Sequence, residues 1–375
     1  MAIADALPPL DCTGRLDRLR EALPDAGVDA LLVTTPANIR WLSGFTGSAG
    51  LLLVTGDRAL LTTDGRYRTQ SVEQTTAAGV AGDVEVTVGG AQDQREAVVA
   101  VARGNTVVGL EAEHVTWGAQ RSWAELLGEA ELSPTRQLVE VLRQTKDAGE
   151  ILRMERAAAI ADEALARVLP LLGRASREAV TESDFATALD HAMRVGGAEE
   201  SAFETIVASG PNSAKPHARP GSRTIGAGDA VVVDFGAVYD GYRSDMTRTF
   251  WVGGEPDGEL AEVFSVVAAS QSAGVGAVRP GVAAGEVDKV CRDIIAAAGW
   301  AERFEHGTGH GVGLDIHEAP SVGPEATAIL SPGVVVTVEP GVYLAGLGGV
   351  RIEDTLVVTE HGGRPLTRFP KEVAV

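Results

Sequence analysis

Two stretches in the second half of the chain share one plan, and that plan restricts the fold more than any other feature. Residues 226–234 read Gly-Ala-Gly-Asp-Ala-Val-Val-Val-Asp, and residues 330–339 read Leu-Ser-Pro-Gly-Val-Val-Val-Thr-Val-Glu. In both, a turn leads into a β-branched strand that ends on an acid, Asp234 or Glu339. A glycine-containing turn follows each acid, then a second strand carrying a second acid, Asp245 or Glu353. Two helical segments and a stretch with Gly and His precede each copy, so the half reads as a diverged internal duplication. Two such copies, related by a pseudo-twofold axis, would bring four carboxylates together.

The first copy can be placed almost residue by residue. Within Val231–Phe250, VVVDFGAVYDGYRSDMTRTF, the dipeptide Asp240-Gly241 is a two-residue hairpin signal. That turn sets Asp234 opposite Thr247 and Asp245 opposite Gly236, so the two acids project from one face as diagonal neighbours. Gly236, with no side chain, is expected to leave open space beside Asp245. Three valines before Asp234 mark a buried strand, where a carboxylate without a partner is costly.

The second copy adds His306-Gly-Thr-Gly-His310-Gly-Val-Gly-Leu-Asp-Ile-His317-Glu318. The stretch lacks the Lys-Ser/Thr of a phosphate-binding loop. Its alternating Val312, Leu314 and Ile316 read as a strand entering a core, and its glycines allow unusual backbone angles and close approach. Glu339 ends a run of valines, and Glu353 sits in Val350–Val358, another strand-like run in which Arg351 is a candidate partner for either glutamate. Four carboxylates in core-like strands repel one another unless cations neutralise them. Oxygen ligands with one imidazole suit Mn²⁺, and accept Co²⁺, Zn²⁺ or Fe²⁺. Two such ions roughly 3.5–4 Å apart form the arrangement that activates a bridging water.

The 375-residue chain has room for two domains. Residues 1–140 read as an α/β unit, with a helix at Arg15–Leu23 and strands at Ala30–Val33, Leu51–Val54, Ala59–Thr62 and Val107–Leu110. Helices are expected at Asp93–Val101 and Ala119–Leu127 of the same unit. A boundary falls at 145–150, and residues 146–375 form the second domain. There Ile151, Met154, Ala158, Ala161, Leu165 and Val168 recur at helical spacing up to Pro170. Helices at Glu182–Arg194, Glu259–Val278 and Gly285–Ala298 follow, the first capped by Thr181. A net charge of −20 excludes a general nucleic-acid binder, which needs a basic face. Only two cysteines, far apart, exclude a disulfide scaffold. The N-terminus lacks a signal-peptide pattern and no stretch of roughly 20 apolar residues stands out, so a cytoplasmic protein without membrane contact is expected.

The acids and histidine, within DGYRSDMTRTF, HGTGHGVGLDIHE, VEPGVY and RIED, resemble those of the pita-bread metallopeptidases, and the likeness covers nearly the whole chain. That group contains methionine aminopeptidase, Xaa-Pro aminopeptidase and Xaa-Pro dipeptidase. The resemblance implies an α+β fold: a C-terminal pita-bread catalytic domain with pseudo-twofold duplication and a smaller N-terminal creatinase-like α/β domain. The segments Asn38–Ser48 and Thr63–Tyr67 look like that N-terminal domain, which in the family helps form a homodimer and narrows access to the site. The resemblance makes Asp234, Asp245, His310, Glu339 and Glu353 ligands of two divalent ions, with Asp245 and Glu353 bridging and Glu339 sharing a metal with His310. It also makes Glu339 the proton acceptor, His317 the oxyanion stabiliser and His217, in Asn212–His217, a group near the scissile bond. His306 and Arg351 are implied around the proline and carboxyl end of the substrate, with a hydroxyl from Tyr343. His306 matches the proline-specific branch, so the expected substrates are peptides with proline in second position, cleaved by an Xaa-Pro aminopeptidase or, as the alternative, an Xaa-Pro dipeptidase. Phe203 stands where some aminopeptidases of this branch carry tyrosine. The complete ligand set counts against creatinase and against a catalytically silent binding protein on the same fold.

Overall fold

The computed structural model describes residues 7–175, 177–254, 258–371 and 374. Packing divides the chain into two compact units, Met1–Arg143 and Gln144–Val375. In the first, strands β1 (Ala30–Val33), β2 (Gly50–Thr55), β3 (Ala59–Thr63), β4 (Glu85–Val88), β5 (Val107–Glu111) and β6 (Glu131–Thr135) form one mixed sheet in the order β4-β3-β2-β1-β5-β6. Helices α1 (Arg15–Ala22), α2 (Pro36–Ser43), α3 (Arg68–Ala77), α4 (Ala91–Ala102), α5 (Trp117–Leu126) and α6 (Leu138–Arg143) complete this unit. Strands β4 and β6 are short and only partly buried, and β6 carries Pro134, which is why their sequence does not announce them. The buried Glu111 carboxylate, ending β5, accepts the N–H groups of Thr34 and Thr35 at the start of α2.

The second unit opens with α7 (Ala148–Val168), whose first turn is closed by a capping box between Asp147 and Glu150. Pro170 starts the next helix, α8 (Pro170–Ala175), and α9 (Glu182–Val195) is capped by Thr181. Strands β7 (Ile206–Ser209), β8 (Ala230–Phe235) and β11 (Met246–Trp251) then form a three-stranded antiparallel sheet, with β8 in the centre. Between β8 and β11 the chain makes the short strands β9 (Val238–Tyr239) and β10 (Tyr242–Arg243). Asp240 and Gly241 both have positive φ, 43° and 71°, as a type I′ turn requires. The hairpin keeps one register throughout, with Thr247 opposite Asp234. Arg153 and Glu150 of α7 hold it from below: Arg153 pairs with Asp240 at 2.7 Å, and the Tyr242 hydroxyl donates to Glu150 at 2.9 Å.

The second half repeats this arrangement. Helices α10 (Gly258–Ala277) and α11 (Ala284–Ala297) pack against a five-stranded sheet of β12 (Gly309–Gly311), β13 (Glu318–Val322), β14 (Val335–Val338), β17 (Asp354–Thr359) and β18 (Gly362–Pro365). A separate hairpin of β15 (Gly341–Leu344) and β16 (Gly348–Arg351) lies between β14 and β17. The triplet β12-β14-β17 corresponds to β7-β8-β11, each with an antiparallel central strand that leads into an acid. Each half has its own core, one around Phe185, Leu189, Val231 and Val233, the other around Val267, Val287, Val336 and Leu356.

Four details depart from the sequence reading. Gly236 leaves no open space: a Cβ there would lie 1.9 Å from the Ser244 carbonyl oxygen, so the glycine is set by backbone approach. The His306–His317 stretch is a three-residue strand followed by a tight loop, because Gly309 and Gly311 pack directly on the carbonyls of Thr337 and Ala319. The run Val350–Val358 is two strands in different sheets, broken at Ile352-Glu353. Finally, α10 is by length and composition long and apolar enough to cross a membrane; here Leu260, Val263, Val267 and Gly274 turn one face into the core of this unit.

Candidate metal and peptidase site

The alternation of β8 sends Val231, Val233 and Phe235 into the helical core and Asp234 to the opposite face. Thr247 and Thr249 share that face on β11 and reach across to the second half. The Thr247 hydroxyl donates to Glu353 Oε2 at 2.7 Å, and the Thr249 hydroxyl donates to the Arg351 carbonyl at 2.8 Å. From the second half, Glu339 follows β14 and Glu353 precedes β17, flanking the last ladder pair, Val338 and Asp354.

Asp245, His310 and Glu353 each place a ligand atom within 4.8 Å of the others. Glu339 joins them through His310, whose Nε2 lies 3.3 Å from Glu339 Oε1 and 3.6 Å from Asp245 Oδ2. The His310 Nδ1–H donates to the Gly311 carbonyl at 2.9 Å, which turns Nε2 toward the acids. Asp234 lines the same cavity, with Oδ2 held by Arg351 Nη2 at 2.6 Å. So Arg351 pairs with an aspartate of the first half, and with neither glutamate.

The electrostatics of this nest call for cations. Burial pushes the Asp245 and Glu353 carboxyls well above the usual range, and neighbouring acids push them further. Burial also raises Asp234, against the pull of Arg351. Burial alone would raise Glu339 too, but the hydrogen bond and charge of His310 hold it below its ordinary value. Burial would lower His310, yet Glu339 and then Asp245 outweigh it and lift the imidazole to about 9. Asp234 Oδ1 and Glu353 Oε1 are buried with no hydrogen-bond partner among the described residues. Buried, orphaned carboxylate oxygens around one imidazole are the donor set of hard divalent ions, and the residues present fit them.

These groups line one wall of a cavity of about 490 Å³. His306, Arg351, His217 and His317 line it as well, the last two exposed, with the His317 ring 4.4 Å from that of His310. Burial and the His310 charge keep His317 below its ordinary pKa, and burial does the same to His306. Tyr343 does not line the cavity. Its hydroxyl lies behind, accepting from Arg351 Nη1 at 2.8 Å and lying 2.9 Å from His306 Nε2. Since the His306 Nδ1–H donates to Gly307 O, the tyrosine donates to Nε2 and a neutral His306 completes the chain. Phe203 and Ile316 supply apolar wall.

Several supporting residues escape sequence reasoning. Thr337 donates to Glu339 at 3.3 Å and accepts the His310 N–H at 3.1 Å. The buried Asp288 of α11 holds Thr308, whose carbonyl accepts the Glu339 N–H at 2.7 Å. The available signal was periodicity: Thr247 and Thr337 each stand two residues from a candidate ligand acid, on the same strand face.

Residues 153–360 match metallopeptidase family M24 and residues 15–145 match the creatinase/prolidase N-terminal domain. The chain belongs to metallopeptidase family M24, and that membership implies divalent metal ions. It is 41% identical over 361 residues to an uncharacterized peptidase of Bacillus subtilis, covering 96% of this chain and 99% of the relative. Among solved structures, the Xaa-Pro dipeptidase from Bacillus anthracis superposes with a TM-score of 0.91 at 39% identity, covering 97% of this chain and 100% of the other. The X-Pro aminopeptidase from Thermotoga maritima gives 0.85 at 34% identity, covering 95% and 100%.

Proposed function

We propose that the chain hydrolyses Xaa-Pro peptide bonds, releasing the N-terminal residue from peptides with proline in second position. Two divalent ions, with Mn²⁺ first among them, would be held by Asp234, Asp245, His310, Glu339 and Glu353. The observation that carries the reading is the meeting of these five side chains, two with orphaned oxygens, on the wall of a peptide-sized cavity. When bound, the ions supply Lewis-acid polarisation of the scissile carbonyl and lower the pKa of water toward neutrality.

The chain's own residues do the rest. Glu339, held ionised by His310, accepts the proton of the attacking water and delivers it to the leaving proline nitrogen. His317 faces the cavity beside His310 and offers an N–H to the developing oxyanion. His217 stands on the leaving-group side, and neutral His306 packs against the proline ring. The homodimer and the cytoplasmic setting belong to the same proposal; Cys12 and Cys291, both buried and neither in a disulfide, support a reducing compartment.

A second reading, Xaa-Pro dipeptidase, is favoured by the name of the Bacillus anthracis relative. Rates on Ala-Pro and Ala-Pro-Ala separate the two. For the chemistry itself, Glu339→Ala is expected to abolish turnover of both peptides in a protein that still folds. Near-normal activity in that variant would remove Glu339 from the mechanism.

A further inference from the structure

Besides the candidate ligand His310, the cavity is bordered by five basic side chains, and most of them are already committed. Arg351 spends its fork on Thr247, the Pro216 carbonyl, Tyr343 and Asp234. His306 has both ring nitrogens engaged, and its pKa is lowered by burial. His317 and His217 are imidazoles, which lack the planar two-pronged donor fork that matches a carboxylate. Arg219 is different: a permanent cation with a planar, bidentate donor set. It lines the cavity with its side chain 82% exposed, and its ion partner is Glu204 at 3.3 Å, itself 62% exposed and on the same cavity wall. A pair so exposed is weakly held.

The backbone under Arg219 is fixed on both sides. On one side the Pro216 carbonyl accepts from Arg351, and the Ala218 N–H donates to Lys215. On the other, Ser183 donates to the Pro220 carbonyl at 3.1 Å, and the Gly221 N–H donates to the buried Glu182 carboxylate at 3.1 Å. An exposed guanidinium therefore rises from a pinned segment at the cavity. The surrounding chain carries a net charge of −20, so a peptide carboxylate is repelled at long range unless one local cation receives it.

We infer that Arg219 reads the free C-terminal carboxylate of the peptide, exchanging Glu204 for it, and so restricts the site to short substrates with an open C-terminus. The inference rests on the Xaa-Pro peptidase reading and names the substrate class within it. Glu204 acts as an internal stand-in that keeps the guanidinium at the cavity and competes with the substrate. The exchange is electrostatic at an exposed position, so added salt weakens it.

The test compares kcat/KM for Ala-Pro and Ala-Pro-Ala with those for their C-terminal amides, using the Mn²⁺-loaded full chain. The unaltered protein is expected to favour the free acid of at least one length by roughly tenfold, as a charged hydrogen-bond pair provides. In Arg219→Gln that preference falls to about twofold or less, mainly through KM, whereas Glu204→Gln lowers KM for the acids. Raising salt from about 0.05 to 0.5 M erodes the preference in the unaltered protein and leaves Arg219→Gln unmoved. Equal rates on acid and amide in the unaltered protein, or an undiminished preference in Arg219→Gln, would overturn the role given to Arg219. Hydrolysis of neither form is a different result, which removes the peptidase reading and this inference with it.

Discussion

Replacing Thr247 by valine keeps the volume of a fully buried side chain and deletes two polar contacts. The hydroxyl donates to Glu353 Oε2 at 2.7 Å and accepts from Arg351 Nε at 3.2 Å. Without a cation, burial and neighbouring acids favour the neutral form of Glu353, so the bond joins two neutral groups and contributes about 1 kcal/mol. With cations bound Glu353 must be ionised, and a charged hydrogen bond contributes about 1.5–3 kcal/mol. The difference of about 0.5–2 kcal/mol should therefore appear in cation affinity, as a loss of roughly two- to thirtyfold. Thr249 supplies the control. It stands two residues further along the same face and bonds to the backbone of Arg351, donating to its carbonyl and accepting its N–H. Calorimetric titration of chelator-treated protein with Mn²⁺ should show the loss in Thr247→Val, while Thr249→Val loses stability by about 1 kcal/mol and keeps its affinity. Equal affinity in Thr247→Val and the unaltered protein, or equal losses in both variants, would refute the reasoning.

Two other outcomes follow from the charges. Arg351→Met leaves Asp234 buried without its partner, which should cost the cation-free protein about 3 kcal/mol in urea unfolding; adding Asp234→Asn should recover most of it, and a double variant no better than the single would contradict the pairing. Proton linkage gives the second. His310, raised to about 9, stabilises the cation-free fold fully below its ordinary 6.5, and that stability is lost as pH rises through about 9; the raised Asp245 and Glu353 act in the same direction. The lowered His306 and His317 act below about 6.5, outside this window. Cation-free protein should therefore lose stability from pH 6.5 to 9 while Mn²⁺ affinity rises, as read by thermal melts and titrations across the window; a flat profile for both contradicts the assignment.

Local signals carried much of the architecture into the sequence. Asp240-Gly241 dictates a type I′ turn, and a two-residue turn admits one register, so the pairing of Asp234 with Thr247 is legible from the order of residues alone. The helical spacing of α7 and the cap at Thr181 were equally readable, because both depend on neighbours a few residues apart. What escaped was set by distant contacts. Gly236 looks like an absence of bulk, yet it is required by the carbonyl of Ser244 coming up against it. Val350–Val358 has the composition of one strand, and only the separate pairings of β16 with β15 and of β17 with β14 break it at Glu353. Arg351 lies two residues from Glu353 in sequence, but its guanidinium crosses to Asp234, which no spacing rule anticipates.

The central claim is that this carboxylate nest, loaded with divalent cations, cleaves the bond before proline. The most direct measurement is the rate of Ala-Pro-Ala hydrolysis after exhaustive chelation and during stepwise return of Mn²⁺. No turnover is expected in the chelated protein, and recovery should saturate at two equivalents per chain, with Asp245→Asn failing to recover. An undiminished rate in chelated protein shown by elemental analysis to hold no divalent metal would contradict it.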